Sequence, residues 1–146
     1  MEPYRMSQSI LYLKRTYIIM RKELDVRLST FNLTTSQFEI LGYLAQSGGL
    51  EQQKLQHHSG ITSATLTGIL DKLEARSYIS RKPSHTDGRA NVVTLTQQGN
   101  EVFGKLVDLI LEFENEMLKG FTQAERDLLG QWLQRVAKNL GDKEYY

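Results

Sequence analysis

Gly60 is the position around which this chain is most tightly constrained. It separates a short helical pattern over Gln52 to Ser59, centred on Leu55, from a second pattern that Thr62 caps and that buries Leu66, Ile69, Leu70 and Leu73. Glycine ends a helix in the left-handed conformation without a Cβ penalty, so helix, tight turn and helix follow in order. Leu55, Ile61, Leu66 and Ile69 must then pack together, which fixes the angle between the two helices. Two runs with strand character come next, Tyr78 to Lys82 and Asn91 to Leu95. Between them lies Pro83-Ser84-His85-Thr86-Asp87-Gly88-Arg89-Ala90, whose Pro, Asp and Gly suit a turn or loop. The order predicts a helix-turn-helix followed by a β-hairpin wing.

Helices flank this unit on both sides. Ile10, Leu13, Tyr17, Met20, Leu24 and Leu28 recur every three or four residues from Ser7 to Ser29, and Leu11, Ile18 and Ile19 form a second stripe, so that helix needs more than one partner. Thr34 opens a second helix with a capping box closed by Gln37; it buries Phe38, Leu41 and Leu44 and ends at Gly48-Gly49. Past the hairpin, Gln97 to Leu118 carries Val102, Leu106, Leu109, Phe113 and Met117 on one face, widened by Phe103, Ile110 and Leu111. Thr122 and Glu125 form another capping box before Leu128, Leu129, Trp132, Leu133, Val136 and Leu140. The expected fold is mainly α with a small β-hairpin wing, four helices before the wing and two after it. It forms one domain over 1–146, with a winged lobe at 34–96. Segments 7–29 and 101–140 carry more apolar faces than one domain can cover and are expected to pair in a homodimer. Tyr145 and Tyr146 are expected to fray or to touch the partner.

Composition removes several function classes. A chain of 146 residues suffices for one domain with a core, and 40% hydrophobic with 24% charged residues is ordinary for a globular protein. There is no cysteine, hence no disulfide, thiolate metal site or thiol redox switch. No apolar run reaches the length of a membrane span, and the first residues lack the apolar stretch of a secretion signal, so a cytoplasmic protein with no membrane partner is expected. The net charge of +1 hides an asymmetry: residues 1–49 and 50–100 each hold six Lys/Arg against four Asp/Glu, whereas 101–146 hold six against nine. Any basic face is therefore local and belongs to the first two thirds.

The second helix of the pair offers Thr62, Ser63, Ala64, Thr65, Thr67 and Gly68 on its outer side. Groups this small let a helix lie deep in the major groove, where hydroxyls reach bases or phosphates and methyls touch thymine. On the hairpin, Arg89 suits a narrow minor groove, with Asp87 two residues earlier expected to hold the cation in pose. Arg81, Lys82 and His85 could add phosphate contacts. Thr35, Ser36 and Lys72 are further candidates for the DNA backbone. The alternatives are weaker. His57 and His58 are neighbours on one helix and point in different directions; with His85 they make no convergent ligand set. Glu112 and Glu116 share a face that Glu114 leaves, as on a solvated helix. No phosphate loop, nucleophile elbow or catalytic constellation is present, and neither an enzyme nor a cofactor is expected.

Three segments carry a family resemblance: Leu33-Thr-Thr-Ser-Gln-Phe38, Thr65-Leu-Thr-Gly-Ile-Leu-Asp-Lys-Leu-Glu74 and Asp87-Gly-Arg-Ala-Asn-Val-Val-Thr-Leu-Thr-Gln-Gln-Gly99. The chain resembles the MarR family of bacterial and archaeal regulators over nearly its whole length, and the wing segment matches the family's D-x-R-x-x-x-x-x-L-T-x-x-G without insertion. The resemblance implies an obligate homodimer on a palindromic operator, terminal helices paired across a two-fold axis, and a wing inserted into DNA. It also implies a repressor released by a small effector that binds between dimer arm and DNA-binding lobe. A pocket of Leu13, Tyr17, Phe38, Leu41, Leu44 and Leu106 would suit an apolar or phenolic molecule. Gln56 and Ser59 depart from the usual helix-turn-helix pattern. Ser77 stands where the family commonly has glycine and must adopt a conformation in which glycine is cheaper. The competing reading is a winged-helix protein that has lost DNA binding and serves protein interaction.

Overall fold

The computed structural model describes residues 6–143, so Tyr145 and Tyr146 lie outside the described residues. The helices are α1 (Gln8–Leu28), α2 (Thr35–Ser47), α3 (Gln52–Ser59), α4 (Ser63–Ala75), α5 (Gln97–Met117) and α6 (Gln123–Asn139). The strands are β1 (Leu50–Glu51), β2 (Ile79–Pro83) and β3 (Asn91–Leu95). Side-chain caps set the helix starts. Thr34 and Thr122 both form complete capping boxes, with Gln37 and Glu125 at the third position, and Thr62 Oγ1 accepts from the Thr65 N–H. Gly48 and Gly60 end α2 and α3 with φ of 71° and 65°, the left-handed conformation that closes a helix.

The wing is larger than a hairpin. A three-stranded antiparallel sheet runs in the order β1-β3-β2, with Leu50 opposite Val93 on one side and Arg81 opposite Val93 on the other. Two residues between a glycine and a helix show no alternation, which is why β1 is invisible in the sequence. Pro83, expected in the loop, closes β2; that strand lies at the sheet edge, where a missing N–H costs no ladder bond. Ser77, just before β2, has φ 59°. The turn is held by Ser77 N–H to Glu74 O at 2.8 Å and Thr96 Oγ1 to Ser77 O at 2.6 Å. Gly99 in α5 meets the same turn: a Cβ there would stand 1.9 Å from the Tyr78 carbonyl oxygen, so only glycine lets α5 start against the sheet.

Two compact units divide the chain, the first ending at Leu106 and the second starting at Val107. In the first, Leu28, Ile40, Leu41, Leu44, Leu55, Leu66, Leu70, Leu73, Ile79, Val93 and Leu106 make the closed core. Helix α1 contributes only Leu24 and Leu28; its opening turns leave Ile10, Leu11, Leu13, Tyr17, Ile18 and Ile19 exposed. In the second unit, Arg126 ties α6 to the end of α5 through Asn115 Oδ1 at 3.1 Å and Leu118 O at 3.2 Å. No residue of α6 is buried, and Trp132 and Leu133 are 56% and 43% exposed. No described helix is long and apolar enough to cross a membrane.

Candidate nucleic-acid interface

Burial sorts α4 into two faces. Leu66, Leu70 and Leu73 face the core, and Thr62, Ser63, Ala64, Thr65, Thr67, Gly68 and Lys72 are all exposed. The hydroxyls are already ordered. Thr62 Oγ1 accepts from Thr65 N at 3.3 Å and donates to Thr65 Oγ1 at 2.9 Å, which leaves Thr65 its own proton for an outside acceptor. Thr67 Oγ1 donates to Ser63 O at 3.0 Å and accepts from Gln52 Nε2 at 3.4 Å. Gln52 is a member of this face that sequence reasoning missed. It opens α3, and its place beside Thr67 follows only once the turn at Gly60 has folded α3 back toward α4.

The wing presents Lys82, His85 and Arg89 on its exposed surface. Its tip is pinned by Ser84 N–H to Ala90 O at 2.7 Å and Ala90 N–H to Asp87 O at 3.0 Å. Asp87 differs from expectation. Its Oδ1 accepts the backbone N–H of Arg89 at 2.9 Å, the geometry of an aspartate that shapes its own turn, and it does not grip the guanidinium. The Arg89 guanidinium makes no hydrogen bond or ion pair with the described residues and projects from an exposed loop.

Arg81 is also placed otherwise than expected. Its Nε donates to Glu74 Oε2 at 3.1 Å and its Nη2 to Asp71 Oδ1 at 2.7 Å, so the guanidinium is committed to two carboxylates of α4 and is not offered to phosphate. The hydrogen bonds to Glu74 and then Asp71 raise the Arg81 pKa further, and the bond from Arg81 lowers that of Glu74. Beyond holding β2 to α4, Arg81 offsets two negative charges on the helix that would face DNA.

The expectation for Thr35 needs correction, and Ser36 and the expected pocket residues have their own surroundings. Thr35 is 1% exposed, with its N–H and hydroxyl both donated to Asp25 Oδ1 at 2.8 and 2.7 Å. It is the point where α1 caps α2 and has no surface for a phosphate. Ser36 is half-buried and receives Arg21 Nη2 at 3.2 Å. The six residues expected to line a pocket are split between core and surface: Leu41, Leu44 and Leu106 are at most 1% exposed, whereas Leu13 and Tyr17 are 40% and 54% exposed. Phe38 stacks on Phe103 at 5.7 Å between centroids. No cluster that could hold a metal occurs among the described residues.

Comparison with known proteins agrees with this geometry. The model of the MarR family matches residues 33–90, from the start of α2 through the wing tip. The uncharacterized HTH-type transcriptional regulator YwaE of Bacillus subtilis is 32% identical over 130 residues, 89% of this chain and 75% of that protein. The HTH-type transcriptional repressor Rv2887 of Mycobacterium tuberculosis is 26% identical over 127 residues, 87% of this chain and 91% of its own. Among solved structures, Bordetella bronchiseptica BpsR, whose DNA binding is regulated by 6-hydroxynicotinic acid, superposes with a TM-score of 0.80. It is 24% identical, over 90% of this chain and 99% of its own.

Proposed function

The chain belongs to the MarR family of helix-turn-helix transcriptional regulators, and from that premise we propose that it is a repressor that binds a palindromic operator as a homodimer and lets go when a small ligand binds. One observation carries the DNA-binding part. The exposed face of α4 is built only of small groups where it would enter a groove, and the wing carries an exposed guanidinium, Arg89, with no partner among the described residues. A free guanidinium on a loop next to a shallow, hydroxyl-bearing helix face is the combination a phosphate backbone attracts. A homodimer is favoured by α6, which has 17 residues and buries none of them within the chain. It would present Leu128, Trp132, Leu133 and Val136 to water unless a second copy covered them.

The repressor role rests on the mycobacterial relative, which is a repressor. The ligand response rests on BpsR, which suggests a small aromatic acid as the first class to try. The test is retarded migration of a palindromic fragment from the promoter of the chain's own gene, with light scattering of the free protein at micromolar concentration. Selective retardation by a dimer, relieved by an aromatic acid, is expected. A monomer that retards no fragment would overturn the proposal and favour the interaction module.

A further inference from the structure

The hydroxyls of α4 are not equivalent, and the difference limits what each can offer a base. Thr67 gives its one proton to the Ser63 carbonyl a turn earlier, at 3.0 Å, and Gln52 Nε2 occupies an acceptor site of the same oxygen at 3.4 Å. With its proton and one of its two lone pairs engaged, the hydroxyl has no donor left to offer a base, and the exposed Thr67 side chain presents its methyl group. A threonine on a helix has two available rotamers, one of which turns the hydroxyl onto the preceding turn. The bond from Gln52 favours that one.

We propose that Gln52 and Thr67 act as a unit that selects thymine: Gln52 fixes the Thr67 rotamer, and the Thr67 methyl packs on the 5-methyl group of a thymine in the major groove. The proposal rests on the reading of α4 as the helix that enters that groove. Of the four bases only thymine shows a methyl there, and Ala64 and Gly68 beside Thr67 add no bulk that would hold the backbone away. Donating to a purine N7 through the Thr67 hydroxyl instead would break the bond to Ser63 to make a new one, an exchange with little net gain. Thr65, which keeps a free proton, is the better hydroxyl donor of the two. Gln52 is thus a positioning residue, and Thr67 the contact.

Deoxyuridine isolates the claim, because it differs from thymidine in that methyl alone. The full-length protein first selects its operator from random duplexes; each thymine of the half-site is then replaced singly by deoxyuridine, in both halves, and affinity is read by fluorescence anisotropy. One position is expected to cost about fourfold per half-site, or about fifteenfold for both, the worth of one buried methyl group. Thr67→Val should keep that discrimination and Thr67→Ser should lose it. Gln52→Ala should reduce the thymine-to-uracil ratio itself, whereas a merely structural role would weaken both duplexes alike. Retained discrimination in Thr67→Ser with loss in Thr67→Val would show that the hydroxyl reads the base and would overturn the proposal. So would sequence-selective binding that is indifferent to uracil at every thymine, which leaves the reading of α4 standing. Absence of any selective binding would overturn that reading as well.

Discussion

Arg81 on β2 and Glu74 on α4 are joined by two donors of one guanidinium, with Asp71 taking a further bond from Nη2, so the first long strand of the wing is fastened to the helix beside it. This pairing separates the roles of the two arginines of the wing, because Arg81 is spent inside the protein and Arg89 is not. Arg81→Ala should lower the melting temperature and weaken DNA binding while leaving the slope of log affinity against log salt unchanged, since no phosphate contact is lost. The sign with pH follows from the lowered Glu74 pKa. The stabilisation is present above the ordinary glutamate value and is lost as pH falls through the lowered value of the folded state. Denaturation of wild type and Arg81→Ala at fixed protein concentration should therefore converge in acid and diverge toward neutrality. A gap that widens in acid would contradict the assignment.

Asp25 supplies α2 with a cap from another helix. Removing it leaves the buried Thr35 N–H and hydroxyl without their acceptor, and each unmade bond of this kind costs roughly 1–3 kcal/mol. Asp25→Ala should lower Tm by several degrees. The bonds from the Thr35 backbone and then its side chain lower the Asp25 pKa, so this stabilisation too is present above the ordinary aspartate value and is lost as pH falls. Asp25→Asn keeps an acceptor and should cost less while removing the acid dependence, which a thermal melt across pH 3 to 7 would read (an about four-unit window around the ordinary carboxylate range).

Ser77 holds a left-handed backbone with a side chain that gains nothing from it, since both of its turn bonds are made by backbone atoms. Ser77→Gly should stabilise the protein by roughly 0.5–1 kcal/mol, the relief of the left-handed penalty less the extra unfolded entropy of glycine. Ser77→Ala should give no such gain, and neither change should alter DNA affinity. Equilibrium unfolding checks this, and a destabilised Ser77→Gly would mean that the serine hydroxyl contributes something its geometry does not show.

Much of this was legible in the sequence because it is written in local chemistry. The capping boxes at Thr34 and Thr122, the cap at Thr62 and the stop at Gly60 each depend on residues within four positions, and the structure puts each where it was expected. The strain at Ser77 was readable for the same reason. What stayed hidden depends on tertiary encounters. Strand β1 exists only because β3 lies beside it. Arg81 looks like any basic residue of a wing until α4 brings Asp71 and Glu74 to it, and Thr35 looks like a surface threonine until Asp25 arrives from ten residues away. Gln52 was visible only as the first residue of a motif, with no local sign that it would meet Thr67. The six apolar residues expected at a pocket divide between core and surface, because apolar periodicity marks burial and does not say whether the buried space is filled.

The most direct test of the account is the salt dependence of operator binding for Arg89→Ala against wild type, by fluorescence anisotropy on one duplex at several salt concentrations. The Arg89 guanidinium has no partner to lose among the described residues, so the variant should fold and melt as wild type does. If Arg89 neutralises phosphate charge in the minor groove, affinity for operator and random DNA should fall alike and the slope should shrink by about 1 per protomer. An unchanged affinity with an unchanged slope would mean that the wing does not touch DNA, and would contradict the account.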